Sequence, residues 1–481
     1  MGFSSRLGTT GKAGEPKFDR QIGPLQATAI NMTQMCGIGP FLTIPLMITA
    51  MGGPQAMLGW VVGAVIVLAD GLIWAELGAA MPGAGGTYLY LREAFQYRTG
   101  RLMPFQFTWS AVLFIPLIMS TGVIGLVDYL GFLVPGLVDS DGHTTTVGHL
   151  VGIGVVALVV VALYRKTGQI SRLTSVLFVV MLFSVLAVIV AAFVNFHASY
   201  VAFTPGAFKL FGGPFWTGLG AGLIIAIYDY LGYNTSSYLG AEMRNPGRTI
   251  PRSIVFSIVG IMTLYFVLQV GVLGAVPWQD LEHSTSMASL VLEKAWGGTT
   301  AKILTVAIVI TAFGSVFAGL LGGSRVPYEA ARDKLFLPWF GRLHPRLKFP
   351  TVGLLAMGAV TAIGSLFDLS EVIAMLTAVF VLVQSIAQVV ALTVLRRRQP
   401  GLRRPYRQWA YPVPSIIALI GWVFVYYKSG TQAIVLSLLW LLAGIIAFLI
   451  WARVERTWPF GDKEIEERFR AGIESEAAES A

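Results

Sequence analysis

The chain has 481 residues, of which 55% are hydrophobic and only 12% are charged. Because soluble domains carry about 25% charged residues, this composition excludes an ordinary soluble protein and indicates an integral membrane protein. The single cysteine excludes an intrachain disulfide, and the five histidines have no metal-ligand spacing. We therefore expect neither a cofactor nor a metal site.

Apolar runs along the chain predict twelve membrane-spanning helices. A helix needs ~20 mostly apolar residues to cross the hydrocarbon core. Continuous runs such as SVLFVVMLFSVLAVIVAAFV at 175–194 are typical of helices rather than of β-barrel strands, so the predicted fold is all-α. The expected spans are 24–50, 54–80, 103–133, 146–164, 170–195, 215–241, 251–275, 299–323, 351–366, 371–395, 411–428 and 431–452.

Lysine and arginine are confined to alternate loops between these spans. Of the 34 basic residues, 30 precede helix 1, follow helix 12 or lie in the loops after even-numbered helices. The opposite loops contain only Lys209, Lys294, Lys302 and Lys428. Because positive charge is retained in the cytoplasm, we expect a multi-pass plasma (inner) membrane protein with both termini cytoplasmic. The net charge of +9 then reflects orientation in the lipid bilayer, and no nucleic-acid partner is expected.

Helix 1 is interrupted by the sequence QMCGIGPFLTIP at 34–45. Gly37 and Gly39 weaken a helix, and Pro40 removes a hydrogen-bond donor and clashes one turn back. In lipid, the freed backbone groups must be satisfied by protein, by water in a cavity or by a ligand. The break therefore either exposes the backbone around Ile38 to a bound solute or forms a kink lined by small residues.

Helix 6 is interrupted in the corresponding place by IAIYDYLGYNTSSYLG at 225–240, where Asp229, Gly232 and Asn234 divide the apolar run. Helices 1 and 6 would begin two sets of five helices that cross the membrane in opposite directions. Such paired interruptions point to the binding site of a secondary transporter. The predicted domains are a cytoplasmic N-terminal tail at 1–20, a first five-helix repeat at 21–200, an inverted second repeat at 210–396, a final helix pair at 408–455 and a cytoplasmic C-terminal tail at 456–481.

Four motifs extend this interpretation: GIGPF at 37–41, AELGAAMPGAGGTYLYLREAF at 75–95, GAEMRNPGRTIPRSI at 240–254 and SRVPYEAARDKLFLPWFGRLHPRLKFP at 324–350. Together they resemble the amino acid–polyamine–organocation (APC) superfamily of secondary transporters, over about residues 20–455. The runs ADGLIWAEL and LVDYL are similar to its polyamine-uptake branch. The resemblance implies the leucine-transporter-type fold, a five-plus-five inverted repeat plus two extra helices, with a substrate site between helices 1, 3, 6, 8 and 10.

The sequence also departs from that superfamily. Ile38 stands where its amino acid carriers usually have a small hydroxyl residue, and Pro40 lacks the N–H that would help to bind a carboxylate. Many proton-coupled members have a lysine in helix 5, where this chain has Met181. Sodium-dependent relatives use adjacent hydroxyl residues in helix 8, whereas Thr311 and Ser315 are four residues apart on one helix face.

Polar side chains within the predicted helices complete the candidate site. Asp229 could pair with a substrate amine, carry a coupling proton or cap the broken helix. Tyr228 and Tyr233 could form a cation–π wall or pack. Asp128, near the outer end of helix 3, could bind a substrate amine or face water, and Gln384 could contact substrate or bond to another helix. The predicted substrate-binding set is Gly37, Ile38, Gly39, Pro40, Asp128, Tyr228, Asp229, Gly232, Tyr233 and Gln384, and the predicted coupling-ion set is Asp229, Thr311 and Ser315.

Two charged residues on the cytoplasmic side are predicted to form an inner gate. Glu76 lies near the inner end of helix 2, and Arg248 follows helix 6. The alternative for Glu76 is a structural bond to loop or helix-end groups, and the alternative for Arg248 is that it only fixes orientation through its charge.

These observations predict a secondary active transporter that imports an amino acid or a polyamine by alternating access, coupled to protons or, alternatively, to sodium. An exchanger is the alternative within the same class. The sequence contains no selectivity-filter repeat of the kind expected in a channel. It also contains no soluble domain that would indicate a sensor, and no residue pattern that would indicate an enzyme. Without an ATP-binding signature, the expected energy source is an ion gradient or exchange.

Overall fold

The computed structural model describes residues 22–82, 86–139, 142–164, 167–240, 243–344 and 349–455. The predicted tails at 1–20 and 456–481 lie outside the described residues. Within the described part, regular secondary structure is helical apart from three isolated β-bridges, as the apolar runs predict.

The helices follow one another with short connections. In chain order they are α1 (Pro24–Met35), α2 (Gly39–Met51), α3 (Met57–Ala80), α4 (Thr87–Thr99), α5 (Leu102–Leu133), α6 (Thr146–Leu163), α7 (Thr167–Val194), α8 (Pro214–Tyr230), α9 (Thr235–Tyr238), α10 (Pro246–Ala275), α11 (Trp278–Leu281), α12 (Met287–Trp296), α13 (Gly298–Gly323), α14 (Arg325–Arg332), α15 (Thr351–Gly364), α16 (Leu369–Phe380), α17 (Ala387–Arg398), α18 (Val413–Lys428) and α19 (Thr431–Val454).

Seven helical stretches in the described part are long and apolar enough to cross a membrane, judged by length and composition. Four shorter apolar helices accompany them. An all-helical membrane fold is therefore confirmed, while the count of twelve spans and the inverted repeat stay predictions. The seven stretches are Pro54–Ala80, Leu102–Leu133, Thr146–Leu163, Pro246–Ala275, Gly298–Arg332, Leu369–Arg398 and Thr431–Val454, and the shorter helices are Gly39–Met51, Val179–Val194, Thr351–Gly364 and Val413–Lys428.

The first predicted span is divided into α1 and α2 at residues 36–38. Pro40 occupies the first turn of α2, where its missing N–H removes no hydrogen bond and its fixed φ suits a helix start. Proline thus begins the second half-helix, and the interruption expected from its sequence is present in the structure.

The sixth predicted span is likewise divided into α8 and α9 at residues 231–234. Gly232 has φ +114°, a conformation that side-chain-bearing residues rarely adopt. A Cβ at Gly232 would lie 2.7 Å from the side chain of Gln34 on α1. The two interruptions therefore lie next to each other.

The half-helices pack at the centre of the molecule. Helix α2 contacts α8, α1 contacts α10, and α5 contacts α13 and α16. In its most apolar window α5 is 78% buried, whereas the same window of α19 is only 22% buried. The buried core thus surrounds the broken helices, and α19 exposes an apolar surface suited to lipid.

Candidate functional site

The two broken helices meet at Asp229, the second-last residue of α8. Its side chain is 2% exposed, and its carboxylate accepts a hydrogen bond from the Thr43 hydroxyl on α2. That hydroxyl also lies 3.0 Å from the Gly39 carbonyl, in the first turn of α2. A carboxylate beside a helix N-terminus is favourably placed, because the partial charge of the helix is positive there.

Gly37 and Gly39 allow this close approach. A Cβ added to Gly39 would collide with the Asp229 carboxylate, and one added to Gly37 would lie 2.6 Å from the Ser315 Oγ on α13. Ile38, which lies between the two glycines, and Pro40, which follows Gly39, are both buried. The glycines of the GIGP sequence therefore bring the broken backbone into contact with both α8 and α13.

The Asp229 carboxylate is only partly satisfied. Its Oδ1 atom is buried and has no hydrogen-bond partner among the described residues, and none of their ion pairs includes this carboxylate. A buried carboxylate in this state is stabilised by a proton, a water molecule or a cationic ligand, since an isolated charge is costly in an apolar environment. Asp229 can therefore hold a proton or pair with an ammonium group.

Backbone groups at the first break are also available. In the described part of the chain, the N–H groups of Gly37 and Ile38 make no hydrogen bond to backbone or side chain. They lie just before the N-terminus of α2, where N–H groups and the helix dipole attract anions. This end of the site can therefore receive a carboxylate.

Tyr265 on α10 is a site residue that the sequence analysis missed. Its hydroxyl donates to the carbonyl of Met35, the last residue of α1, at 2.8 Å, and lies 3.4 Å from the carbonyl of Asp229. Tyr265 is fully buried. A tyrosine within an apolar helix gives no local signal of this role, because packing predicts the same residue type.

The two tyrosines predicted beside Asp229 have different surroundings. The Tyr228 hydroxyl lies 2.5 Å from the Thr121 hydroxyl on α5, which brings α5 to the site. The Tyr233 hydroxyl donates to the Asp70 carboxylate on α3, and the other oxygen of Asp70 accepts from Trp422 Nε1 on α18 at 3.0 Å. Tyr233 thus anchors the unwound segment of helix 6 to the surrounding helices.

Asp128 and Gln384 lie apart from these contacts. The Asp128 side chain, on α5, belongs to a residue that is 9% exposed, and it forms no hydrogen bond or ion pair within the described part of the chain. It lies seven residues beyond Thr121, which corresponds to roughly 10 Å along a helix. Gln384 occupies a π-helical segment, 381–386, between α16 and α17, and it is buried.

The predicted ion-coupling hydroxyls face different neighbours. Ser315 lies beside Gly37, whereas Thr311 is 3.3 Å from the Ser184 hydroxyl on α7 and donates to the carbonyl of Ala307 at 2.9 Å. The structure therefore brings only Ser315 to the break in helix 1.

The predicted gate residues are also separated. Glu76 is fully buried and forms ion pairs with Arg396 at 2.5 Å and Arg404 at 3.3 Å, and it accepts from the Gln408 backbone N–H at 2.7 Å. Arg248 is exposed and forms no ion pair with Glu76. The partners of Glu76 thus come from the segment after α17. The gating role of both residues stays a prediction.

The amino acid permease family model matches residues 22–456 of the chain. The branched-chain amino acid permease BcaP of Bacillus subtilis is 28% identical, with 92% of this chain and 95% of that protein covered. The serine/threonine exchanger SteT of Bacillus subtilis is 24% identical, with 89% and 95% covered. The human cationic amino acid transporter 4 is also 24% identical, with 76% and 58% covered.

Proposed function

Since the chain belongs to the amino acid permease family, within the APC superfamily, we propose that it is a secondary transporter that imports amino acids by alternating access. It is a multi-pass plasma membrane protein. The observation that carries the proposal is the meeting of two broken helices at Asp229, Gly39 and Thr43, because half-helix ends offer both donors and acceptors to a zwitterion.

The site suggests how an amino acid would bind. The free N–H groups of Gly37 and Ile38 suit the substrate carboxylate. The Asp229 carboxylate, of which one oxygen accepts a hydrogen bond from Thr43 and the other has no partner among the described residues, suits the substrate ammonium group. The carbonyl groups at the C-terminal ends of α1 and α8 suit it as well. Tyr228, on the side of α5, would border the substrate side chain.

Proton coupling through Asp229 is part of the proposal. Helix 5 has the buried Met181 where proton-coupled relatives have lysine, so another group must carry the proton. Asp229 is buried, incompletely paired and directly against α2. Exchange without net proton movement is the second candidate, and the similarity to an exchanger for serine and threonine supports it.

Polyamine transport stays a separate prediction of the sequence. A polyamine would need anionic partners at two positions, and Asp128 and Asp229 are two buried carboxylates of the predicted substrate-binding set. The similarity to branched-chain amino acid permeases, which extends over 457 and 419 aligned residues, favours an amino acid as the substrate instead.

We also propose twelve spans in a five-plus-five inverted repeat, with both termini in the cytoplasm. The observed breaks fall in the first and sixth predicted spans, as an inverted repeat requires. The confinement of 30 of the 34 basic residues to alternate loops supports the orientation.

Uptake into proteoliposomes tests the proposed function. Purified protein should accumulate at least one amino acid saturably when the lumen is alkaline, and a protonophore should abolish the accumulation. Homoexchange that persists without a proton gradient would support the exchanger. No saturable uptake of any amino acid, together with uptake of spermidine or putrescine, would overturn the proposal in favour of a polyamine carrier.

The only cysteine in the sequence provides a second test. Cys36 lies in the helix 1 break and is 6% exposed. A transported amino acid should slow the reaction of Cys36 with N-ethylmaleimide, with half-protection near its KM. A transported substrate that leaves this rate unchanged would place the binding site elsewhere.

A further inference from the structure

We propose that Tyr265 is a positioning residue that ties the two half-helix ends of the transport site together. Its hydroxyl donates to the Met35 carbonyl at the end of α1 and has the Asp229 carbonyl near the end of α8 as a second acceptor, at 2.8 and 3.4 Å. These carbonyls belong to two helices that no chain segment connects directly. Only the transport measurement below depends on the proposed function.

The physical argument begins with the ends of the helices. The last carbonyls of a helix have no partner within that helix, and a carbonyl left unsatisfied away from water destabilises the structure. Met35 and Asp229 are both buried, so water has little access to their carbonyls. The Tyr265 hydroxyl, on a third helix, α10, which packs against α1, donates to one of these two carbonyls at a time.

A hydroxyl has one proton and can donate it to either carbonyl. When a substrate ammonium group takes one carbonyl, the Tyr265 hydroxyl can retain the other, so neither half-helix end is left unpaired. Tyr265 thereby fixes the spacing between the ends of α1 and α8 before substrate arrives. Preorganisation of this kind lowers the free-energy cost of binding.

The surrounding aromatic cluster provides a matched control. The centroid of the Tyr265 ring lies 5.1 Å from that of the Trp60 ring and 6.1 Å from that of the Tyr230 ring. The Tyr230 hydroxyl is buried too, but it donates to the Trp60 carbonyl at 3.0 Å, in the interior of α3. Removing either hydroxyl leaves the same ring in the same cluster, but only Tyr265 contacts the carbonyl ends of both half-helices.

The first experiment measures the reaction of Cys36 with N-ethylmaleimide in purified, substrate-free protein. Cys36 directly follows Met35 and is the only cysteine. Tyr265→Phe should raise the alkylation rate roughly two- to ten-fold, the range expected when one neutral hydrogen bond is lost. Tyr230→Phe should leave it near the wild-type rate. Equal rates for the wild type and Tyr265→Phe, or equal increases in both variants, would overturn the proposal.

The second experiment separates binding from turnover for a substrate that the wild type transports. Tyr265→Phe should raise KM roughly two- to ten-fold with little change in kcat, whereas Tyr230→Phe should change neither. A fall in kcat alone, or loss of thermal stability with unchanged KM, would mean a structural role only. If the wild type transports no amino acid, the proposed function fails while the Cys36 measurement still decides the role of Tyr265.

If Tyr265→Phe does not fold, 3-fluorotyrosine at position 265 provides the opposite change, since fluorine makes the hydroxyl a stronger donor. It should slow the alkylation of Cys36 relative to the wild type. A rate equal to or faster than that of the wild type would overturn the proposal.

Discussion

Gly39 on α2 lies so close to Asp229 on α8 that a single methyl group at Gly39 would collide with the Asp229 carboxylate. We predict that Gly39→Ala abolishes transport, because displacing a site by about 1 Å can reduce a rate roughly a hundred-fold. Initial uptake into proteoliposomes measures the effect. Gly154→Ala is the matched control, since Gly154 is on the exposed side of α6 and its added Cβ would meet no atom within 4 Å. If Gly39→Ala transports at the rate of Gly154→Ala, the glycine at the first break serves only helix packing and not substrate binding.

Asp229→Asn tests the charge at the site. If the carboxylate pairs with the substrate ammonium, the variant should lose roughly ten- to a hundred-fold in affinity, since a charge-assisted hydrogen bond contributes about 1.5–3 kcal/mol. If it carries the proton, exchange should continue while proton-driven accumulation disappears. Titration of substrate binding, combined with uptake under a pH gradient, separates the two roles. Thr43→Val, which removes the hydrogen-bond donor but keeps the carboxylate, should retain accumulation. If Asp229→Asn shows wild-type affinity and wild-type accumulation, both roles are contradicted and capping of the broken helix is the one role that remains.

Sodium should not be required for transport. Of the two hydroxyls predicted for sodium, Ser315 borders the helix 1 break while Thr311 contacts Ser184 on α7, so only Ser315 lies beside the broken backbone of helix 1. Replacing sodium by choline on both sides of the membrane should leave initial uptake unchanged, and Thr311→Val should behave likewise. A sodium-dependent KM that Thr311→Val removes would contradict this prediction.

The sequence predicted well what local pattern determines. The third span was expected at 103–133, and α5 covers Leu102–Leu133, because a continuous apolar run has few other options in a membrane. Both breaks followed from glycine, proline and a charged residue within apolar runs. Asp229 is predicted to be a site residue for the same reason, because an ionisable group within an apolar helix is conspicuous.

Contacts between distant segments could not be read in this way. Glu76 was expected near Arg248, but its partners Arg396 and Arg404 are more than 300 residues away along the chain, and any of many arginines would fit the pattern. Thr43 and Tyr265 are ordinary residues for membrane helices, so only the packing of α2 and α10 against the breaks assigns them to the site.

Glu76→Gln should destabilise the protein strongly. Glu76 is fully buried and pairs with Arg396 and Arg404. Burial lowers the pKa of Arg404, and the Glu76 carboxylate acts to raise it, so the variant leaves poorly solvated positive charge. Removing one partner of a buried ion pair typically costs about 3–5 kcal/mol. Thermal unfolding of the purified variant should show a lower Tm than the wild type, while Glu371→Gln, on the exposed first turn of α16, should match the wild type. An unchanged Tm for Glu76→Gln would mean that the cluster contributes little to stability.

The proposed orientation can be tested with two exposed loop positions that lie on opposite sides in a twelve-helix topology. Phe211, in the loop after the fifth span, is 92% exposed, and Trp409, in the loop before the eleventh, is 78% exposed. In a Cys36→Ala background, Phe211→Cys should react with a membrane-impermeant maleimide added to intact cells. Trp409→Cys should react only after the membrane is permeabilised, because its loop contains six arginines, Arg396, Arg397, Arg398, Arg403, Arg404 and Arg407, and such loops stay in the cytoplasm. Both variants must react in permeabilised cells, which shows that each thiol is accessible. Labelling of Trp409→Cys but not of Phe211→Cys in intact cells would mean that the orientation is the reverse of the proposed one. Labelling of both would place the two loops on the same side and contradict the odd number of spans, five, that is predicted between them.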